Sequence, residues 1–299
     1  MSKPYLIVTL GPPGSGKSSV LINQTINYLG LNRNYVKIII DDLIENNPRY
    51  KKKILSIIDN VFKECQNEGK FCQDIKCTNC DTSSYYQNPT NKLLDKFKTA
   101  YFSTRKNTNC VIGSTLNCDD QNDLILKNAI KNNDNIVFET TGRYIPSWLL
   151  SSEYIKSKYQ ILFSYSIVNF NELKKRNTKR ALISINNFVV NRSNPAPRLP
   201  YIEYNSFRSM VITIKNTLLQ LYNKCILSYE EKLCGKERID RLLIFNNSGS
   251  YMTIVFDSEN DKLSNVEFVR NINILFGLSQ NNRNRHSRKK NKSRRRTSY

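Results

Sequence analysis

Apolar and polar residues alternate in blocks along this chain, and the blocks predict an α/β fold. Short runs rich in β-branched and aromatic residues are typical of strands covered on both faces, and they recur between segments with helical periodicity. The runs are 5–10 (YLIVTL), 35–40 (YVKIII), 135–142 (NIVFETTG), 159–168 (YQILFSYSIV) and 241–257 (RLLIFNNSGSYMTIVFD). They predict a five-stranded parallel core sheet flanked by helices, with an edge hairpin over the last run.

The segments between these runs have the three-to-four residue spacing of amphipathic helices. Helices are predicted over 18–29, 51–68, 91–101, 120–132, 145–158, 169–190, 206–233 and 265–278. The regular pattern is interrupted between 65 and 118, and we interpret this stretch as a Cys-rich insertion in a core that otherwise uses short connections.

The first apolar run leads directly into GPPGSGKS, which fills every fixed position of the phosphate-binding GxxxxGK[ST] pattern, the P-loop. Glycines let the backbone amides approach phosphate oxygens, and the following helix presents the positive end of its dipole to the same anion. Lys17 is expected to reach the terminal phosphates of ATP or GTP, and Ser18 to hold Mg²⁺. The predicted nucleotide-binding residues are Gly11, Pro12, Pro13, Gly14, Ser15, Gly16, Lys17, Ser18 and Ser19.

Carboxylates follow two of the predicted strands. Asp41 and Asp42 come directly after the second run, and Glu139 ends the third together with Thr141. Ligands of open α/β sheets gather at the carboxyl edge of the strands, so either aspartate could accept a proton from a substrate hydroxyl or hold Mg²⁺ through water. Glu139 and Thr141 are candidate substrate contacts. The alternatives are an acidic helix start for the aspartates and a surface position for Glu139.

Arginines in the second half of the chain are candidates for neutralising phosphate charge. Arg176 and Arg180 lie four residues apart on one predicted helix and therefore share a face. Arg198 follows in the turn-rich segment NRSNPAPRLPY. Such charges are also compatible with a solvated helix face.

Eight cysteines are present, and four of them, Cys65, Cys72, Cys77 and Cys80, lie close together with a CTNC knuckle at their end. Thiolates at such spacing can hold Zn²⁺, although the pattern is not a strict two-by-two arrangement. Cys110 and Cys118 are alternative ligands. Because a protein that uses ATP works in a reducing compartment, we expect thiols or metal ligation rather than disulfides.

The formal net charge of +21 favours polyanionic partners, and nine of the basic residues lie in 281–299, which contains no acid. This tail has no apolar residues to bury, so we predict one P-loop kinase-like domain over 1–278 and a disordered Arg/Lys-rich tail over 279–299 that could bind nucleic acid. No apolar run is long enough to cross a membrane, and the expected location is the cytoplasm or nucleus.

The order of these features resembles the zeta-toxin family of P-loop kinases. The shared elements are the P-loop, a strand followed by Asp41-Asp42, a strand ending in ETT, an arginine-bearing helix, PAPRLP and a strand followed by NNSG. The resemblance implies a phosphotransferase that uses ATP or GTP and phosphorylates a hydroxyl of a small molecule such as a nucleotide sugar. It also implies that one of the two aspartates is the base, that Glu139 and Thr141 contact substrate, and that Arg180 or Arg176 acts with Arg198 on the migrating phosphoryl group. The family commonly separates its two acids by one residue, whereas Asp41 and Asp42 are adjacent.

The residues alone support two further functions. The basic excess favours a polynucleotide or nucleoside kinase, because a positively charged surface would bind the phosphates of such a substrate. A nucleic-acid-associated P-loop NTPase, with the cysteines as a small zinc module, is the other alternative.

Overall fold

The computed structural model describes residues 3–32, 34–68, 82–87, 89–146, 148–149, 152–198, 204–223 and 239–278. Within these residues six strands form one mixed sheet in the order β2-β3-β1-β4-β5-β6. The strands are β1 (Tyr5–Leu10), β2 (Val36–Ile38), β3 (Ile136–Glu139), β4 (Gln160–Ile167), β5 (Arg241–Asn246) and β6 (Thr253–Asp257).

The strand that carries the P-loop lies in the interior of the sheet. β1 pairs in parallel with β3 on one side and β4 on the other, while β2 and β5 extend the parallel part outward. β6 pairs antiparallel with β5, as predicted for the hairpin, so the sheet has one strand more than the five-stranded core. The ends of β1, β2 and β3 therefore meet at one edge, because the carboxyl ends of neighbouring parallel strands coincide.

Helices cover both faces of this sheet. After β1 the chain enters a π-helical turn, Lys17–Leu21, that continues as α1. The described helices are α1 (Ile22–Tyr28), α2 (Ile40–Asn46), α3 (Pro48–Glu68), α4 (Ser83–Gln87), α5 (Asn91–Lys106), α6 (Cys118–Asn132), α7 (Glu153–Lys158), α8 (Phe170–Val190), α9 (Tyr204–Leu221) and α10 (Asn265–Phe276).

Short polar side chains fix where several helices begin. Thr90 accepts a hydrogen bond from the backbone of the first turn of α5, and Asn117 does the same for α6. α10 starts with a reciprocal capping box between Ser264 and Glu267 and ends at Gly277, whose φ of 61° suits glycine. These local signals explain why the sequence predicted α6 and α10 well. The helix α2 was not among the predicted helices, and the predicted helix that ends at 158 is not continuous, because Ser152 caps a new helix that begins at Glu153.

The two faces of the sheet bury different sets of apolar residues. Alternate residues of β1 point to opposite sides: Leu6 and Val8 join the core shared with α6, α9 and α10, whereas Ile7 packs with α1. This alternation anchors β1 on both faces, so the loop that follows it starts from a fixed position.

A second hydrophobic core lies among the helices α2 to α5 and the end of α8. It contains Ile44 from α2, Ile54 from α3, Phe97 from α5 and Phe188 from α8. The helices α4 and α5 belong to the stretch interpreted as an insertion, and here α5 packs against α2, which carries the two aspartates, whereas α4 packs against α8. That stretch therefore contributes to the surroundings of the candidate site.

The structure corrects the prediction for two cysteines. Cys110 and Cys118 form a disulfide, with their Cα atoms 4.8 Å apart, and are therefore neither thiols nor zinc ligands. The connection between α5 and α6 turns back on itself, because the backbone N–H of Cys110 donates to the carbonyl of Leu116 at 3.0 Å, and this brings the two cysteines together. Asn47 donates hydrogen bonds to the carbonyls of Asn109 and Cys110 and holds this loop against the end of α2. The two half-cystines are buried in the second core.

The zinc hypothesis concerns mainly residues outside the described ranges. Cys65 is buried in α3, whereas Cys72, Cys77 and Cys80 lie outside the described residues. Within the part of the chain that the structure describes, no group of three or more His, Cys, Asp or Glu side chains could hold a metal ion. The tail over 279–299, predicted to be disordered, also lies outside these ranges.

None of the described helices combines the length and the apolar character that crossing a bilayer requires.

Candidate active site

The loop 11–16 has the backbone conformation of a phosphate cradle. Gly14 and Gly16 have φ values of 82° and 87°, which residues with a side chain rarely adopt. A Cβ atom at Gly14 would lie 2.6 Å from Oδ1 of Asn177, and one at Gly16 would lie 2.7 Å from Nδ2 of Asn247. Glycine is therefore required at both positions by backbone angle and by space.

Side chains from three other elements hold the carbonyl groups of this loop. Asn177 of α8 donates to the carbonyl of Pro13 (3.0 Å), and Asn247, after β5, donates to that of Ser15 (2.9 Å). Ser166 of β4 also donates to the Ser15 carbonyl, at 2.6 Å. Carbonyl and amide point in opposite directions across a trans peptide, so these anchors turn the N–H groups of the next residues away from α8 and β5. Among the described residues these amides have no hydrogen-bond partner, so they can bind an anion.

Lys17 lies in the centre of a cluster of charges. Its side chain is only 7% exposed, and its ammonium group donates to the carbonyl of Pro12 at 3.3 Å. Burial lowers the pKa of Lys17; Glu139 and Asp41 oppose this shift, and Arg180 and Arg198 add to it. Because charges influence one another strongly only over short distances, these effects indicate that Glu139, Asp41, Arg180 and Arg198 lie near this lysine.

Asp41 is held at both carboxylate oxygens. Tyr101 donates to Oδ1 at 2.5 Å, and Nη1 of Arg198 lies 2.7 Å from Oδ2. Arg198 also pairs through Nε with Oε1 of Glu45 at 2.5 Å. Burial raises the pKa of Asp41, but Arg198, Tyr101 and Lys17 outweigh it, and the pKa lies below its ordinary value. Asp41 is therefore ionised at neutral pH.

Asp42 has a different environment. Both aspartates lie in the first turn of α2, because β2 ends at Ile38, earlier than the run 35–40 predicts. The residue before α2 is Ile39, so neither aspartate is the N-cap. Asp42 is exposed as a residue, although its carboxyl is partly shielded from water; this partial burial, together with Glu139 and Asp41, raises the pKa of Asp42. Among the described residues its carboxylate makes no hydrogen bond or ion pair.

Glu139 is the last residue of β3 and pairs in register with Thr9 of β1, just before the cradle. Its Oε2 atom is buried and has no hydrogen-bond partner among the described residues. A buried carboxylate oxygen without a partner is costly unless a ligand, ion or water meets it. Thr141, two residues further on, accepts a hydrogen bond from the backbone N–H of Arg143 at 3.4 Å.

The three predicted arginines separate into two groups. Arg180 and Arg198 act on Lys17 electrostatically. Arg176 instead pairs with Glu172 at 3.0 Å and donates to the carbonyl of Gly249 at 3.3 Å, in the turn between β5 and β6. Arg176 and Arg180 lie on the same helix but have different neighbours, because positions four residues apart are separated by about 6 Å along the helix axis.

The residues present fit a magnesium nucleotide. The cradle amides and the Lys17 ammonium suit phosphate oxygens, and the unpartnered oxygen of Glu139 suits a cation or a donor. Ser18 is exposed immediately after Lys17, where its hydroxyl could contribute a ligand; the side chain of Ser19 lies outside what the structure describes.

Sequence reasoning missed four residues of this site. Tyr101, Glu45 and Asn177 belong to no recognised motif, Asn247 was noted only as part of NNSG, and each acts through a contact made across the fold. The nearest available signal was the NNSG segment after the fifth strand, which contains Asn247 and belongs to the features shared with the zeta-toxin family.

Known structures support this fold. No protein-family model matches the chain, and no curated protein sequence matches it. A chain from the structure of the PezAT chromosomal toxin–antitoxin system of Streptococcus pneumoniae is similar, with a TM-score of 0.50 and 12% sequence identity, over 98% of this chain and 86% of that one. The chain shares the fold of this toxin–antitoxin protein. The resemblance to the zeta-toxin family is thus confirmed at the level of the fold.

Proposed function

We propose that this chain is a kinase that uses ATP or GTP and transfers the γ-phosphoryl group to a hydroxyl of a small molecule. The observation that carries the proposal is the glycine cradle with the buried Lys17 behind it, together with an Asp41 carboxylate that Arg198 holds at 2.7 Å. The effects of Asp41, Glu139, Arg180 and Arg198 on the pKa of Lys17 support it. Phosphoryl transfer depends on positioning and charge neutralisation more than on covalent chemistry, and this cluster supplies both. The family resemblance suggests a nucleotide sugar as the acceptor.

Each charged group has a role in this proposal. The cradle amides and Lys17 bind the β- and γ-phosphates, and Mg²⁺, held through Ser18, neutralises phosphate charge when bound. Arg180 and Arg198 stabilise the negative charge that spreads over the equatorial oxygens during transfer. Glu139 and Thr141 orient the acceptor. Arg176 supports the turn after β5 through the carbonyl of Gly249.

We assign the base to Asp41 rather than Asp42. A general base must be ionised and aligned before the acceptor binds. Asp41 meets both conditions, because its pKa is lowered and both of its carboxylate oxygens are held. Each oxygen still has a lone pair that can accept the proton of the acceptor hydroxyl. Asp42 lacks comparable contacts among the described residues.

Label transfer from γ-labelled ATP tests the reaction class. The protein is incubated with a mixture of nucleotide sugars, with 5′-hydroxyl oligonucleotides, or without acceptor, and Lys17→Ala provides the background. We expect label on the sugars. Label on the oligonucleotides would support the polynucleotide kinase alternative, which the net charge of +21 favours. Release only as inorganic phosphate would indicate an NTPase.

Two isosteric variants test the base. Asp41→Asn should lower kcat by about 10²–10⁴-fold and leave ATP binding intact, whereas Asp42→Asn should retain most activity. Equal activity of the two variants would refute the assignment. A shared fold at 12% sequence identity is no evidence that this chain is toxic, and the proposal does not include toxicity.

A further inference from the structure

Tyr101 connects the helical core to the candidate base. It lies on α5, 60 residues after Asp41 in the sequence, and its hydroxyl donates to Oδ1 of Asp41 at 2.5 Å. Burial raises the pKa of Tyr101, and Asp41 raises it further, so the hydroxyl keeps its proton and remains a donor. A neutral donor on one oxygen and a cation on the other fix the rotation of the carboxylate.

The ring of Tyr101 is itself held in place. It packs edge-on against Tyr50, with ring centres 6.2 Å apart, and the Arg198 guanidinium lies 5.7 Å from its centre. The Tyr50 hydroxyl donates to the carbonyl of Pro197 at 3.0 Å, directly before Arg198. The same packing therefore positions both groups that contact the carboxylate.

The segment before Arg198 is also attached to the helix of the base. The backbone N–H of Ala196 donates to the carbonyl of Glu45 at 2.8 Å, and the Arg198 side chain pairs with the Glu45 carboxylate. Arg198 and Asp41 consequently keep their relative position through backbone as well as side-chain contacts. Tyr101 is the contribution of α5 to this arrangement.

We propose that Tyr101 is a positioning residue for phosphoryl transfer, holding the Asp41 carboxylate in the orientation that receives the acceptor proton. This inference rests on the proposed kinase function with Asp41 as the base. It assigns a functional contact to α5, which lies in the stretch that the sequence suggested was an insertion. The hydroxyl acts through Asp41 and has no role in ATP binding.

Tyr101→Phe tests the proposal, because it removes the hydroxyl and keeps the packed ring. The control is Tyr86→Phe in the same core, where the buried hydroxyl has no hydrogen-bond partner among the described residues. With ATP and the nucleotide-sugar mixture, Tyr101→Phe should lower kcat about tenfold, while KM for ATP stays close to wild type and the thermal midpoint falls by a few degrees at most. Tyr86→Phe should leave kcat unchanged.

A double-mutant cycle separates positioning from general damage. In an Asp41→Asn background, measured by single-turnover label transfer, Tyr101→Phe should have no further effect on the rate, because the carboxylate it orients is gone. A wild-type kcat in Tyr101→Phe, or the same loss in both backgrounds, would overturn the proposal. If wild type transfers no label, the kinase function fails first; if Asp41→Asn is fully active, the base assignment fails. Both results overturn this inference, and both can be told apart from the case in which wild type is active and Tyr101→Phe has no effect on kcat.

Discussion

Gly16→Ala tests whether the cradle depends on the contact between Gly16 and Asn247. The φ of 87° at Gly16 costs an alanine about 1–2 kcal/mol of backbone strain. The new methyl group would lie 2.7 Å from Nδ2 of Asn247, so the amide must move and give up its bond to the Ser15 carbonyl. Losing that hydrogen bond adds about 1 kcal/mol.

Gly30→Ala is the matched control. Gly30 also has a positive φ, 63°, but a Cβ there would meet nothing within 4 Å. Backbone strain and the lower entropy of the unfolded alanine chain are common to both variants, so their difference isolates the contact with Asn247. We expect Gly16→Ala to lose about 1 kcal/mol more free energy of unfolding than Gly30→Ala in urea titrations.

Nucleotide affinity should separate the two variants further. A Gly16 amide turned away from phosphate loses a hydrogen bond to a charged group, about 1.5–3 kcal/mol or roughly 10–100-fold in Kd. A fluorescent ATP analogue measures this directly, and Gly30→Ala should bind it like wild type. Combining Gly16→Ala with Asn247→Ala should cost less stability than the sum of the single changes, because the collision is gone. Equal stability loss and equal ATP affinity in Gly16→Ala and Gly30→Ala would refute this reasoning.

Three further predictions concern stability and charge. Removing the disulfide by Cys110→Ala with Cys118→Ala should lower the free energy of unfolding by about 2.5 kcal/mol, from the chain entropy of the short loop, and an unchanged urea midpoint would contradict this. Burial raises the pKa of Asp257, but hydrogen bonds from Arg241, from the backbone of Glu259 and from Tyr28 lower it below its ordinary value. Wild type should therefore have a higher free energy of unfolding than Asp257→Asn above the ordinary pKa of an aspartate, and this difference should shrink as the pH falls below it, in urea titrations across the acid range. Deleting 280–299 should leave the thermal midpoint unchanged and flatten the salt dependence of oligonucleotide binding; an unchanged slope would show that the tail makes no phosphate contacts.

Contiguous signals in the sequence predicted much of this fold. The P-loop could be recognised because its glycines, lysine and serine are neighbours in the chain and follow a buried run. The helices α6, α8 and α10 agree with their periodic segments, because capping residues and apolar spacing act locally. The end of β2 was misjudged, since Ile39 and Ile40 continue an apolar run although the chain has already turned towards a helix.

The candidate site was predictable only in part. Asp41, Glu139 and Arg198 were recognisable as charged residues after strands or between prolines. Their different roles were not, because a pKa depends on neighbours brought in by the fold: Tyr101 and Arg198 act on Asp41, whereas the exposed Asp42 has no such contacts among the described residues. The disulfide between Cys110 and Cys118 was not predicted, because the expectation of free thiols rested on a reducing compartment, whereas the loop geometry that pairs the two cysteines is visible only in the structure.

The sequence by itself determined the elements that depend on neighbouring residues: the phosphate loop, the strands and most of the helix limits. The tertiary structure alone decided which side chains surround Lys17, that Arg176 faces the turn after β5, and that Asn177 and Asn247 anchor the cradle. The reason is physical. Propensity and capping act over a few residues, whereas hydrogen bonds and charge interactions depend on distances in space between segments far apart in the chain.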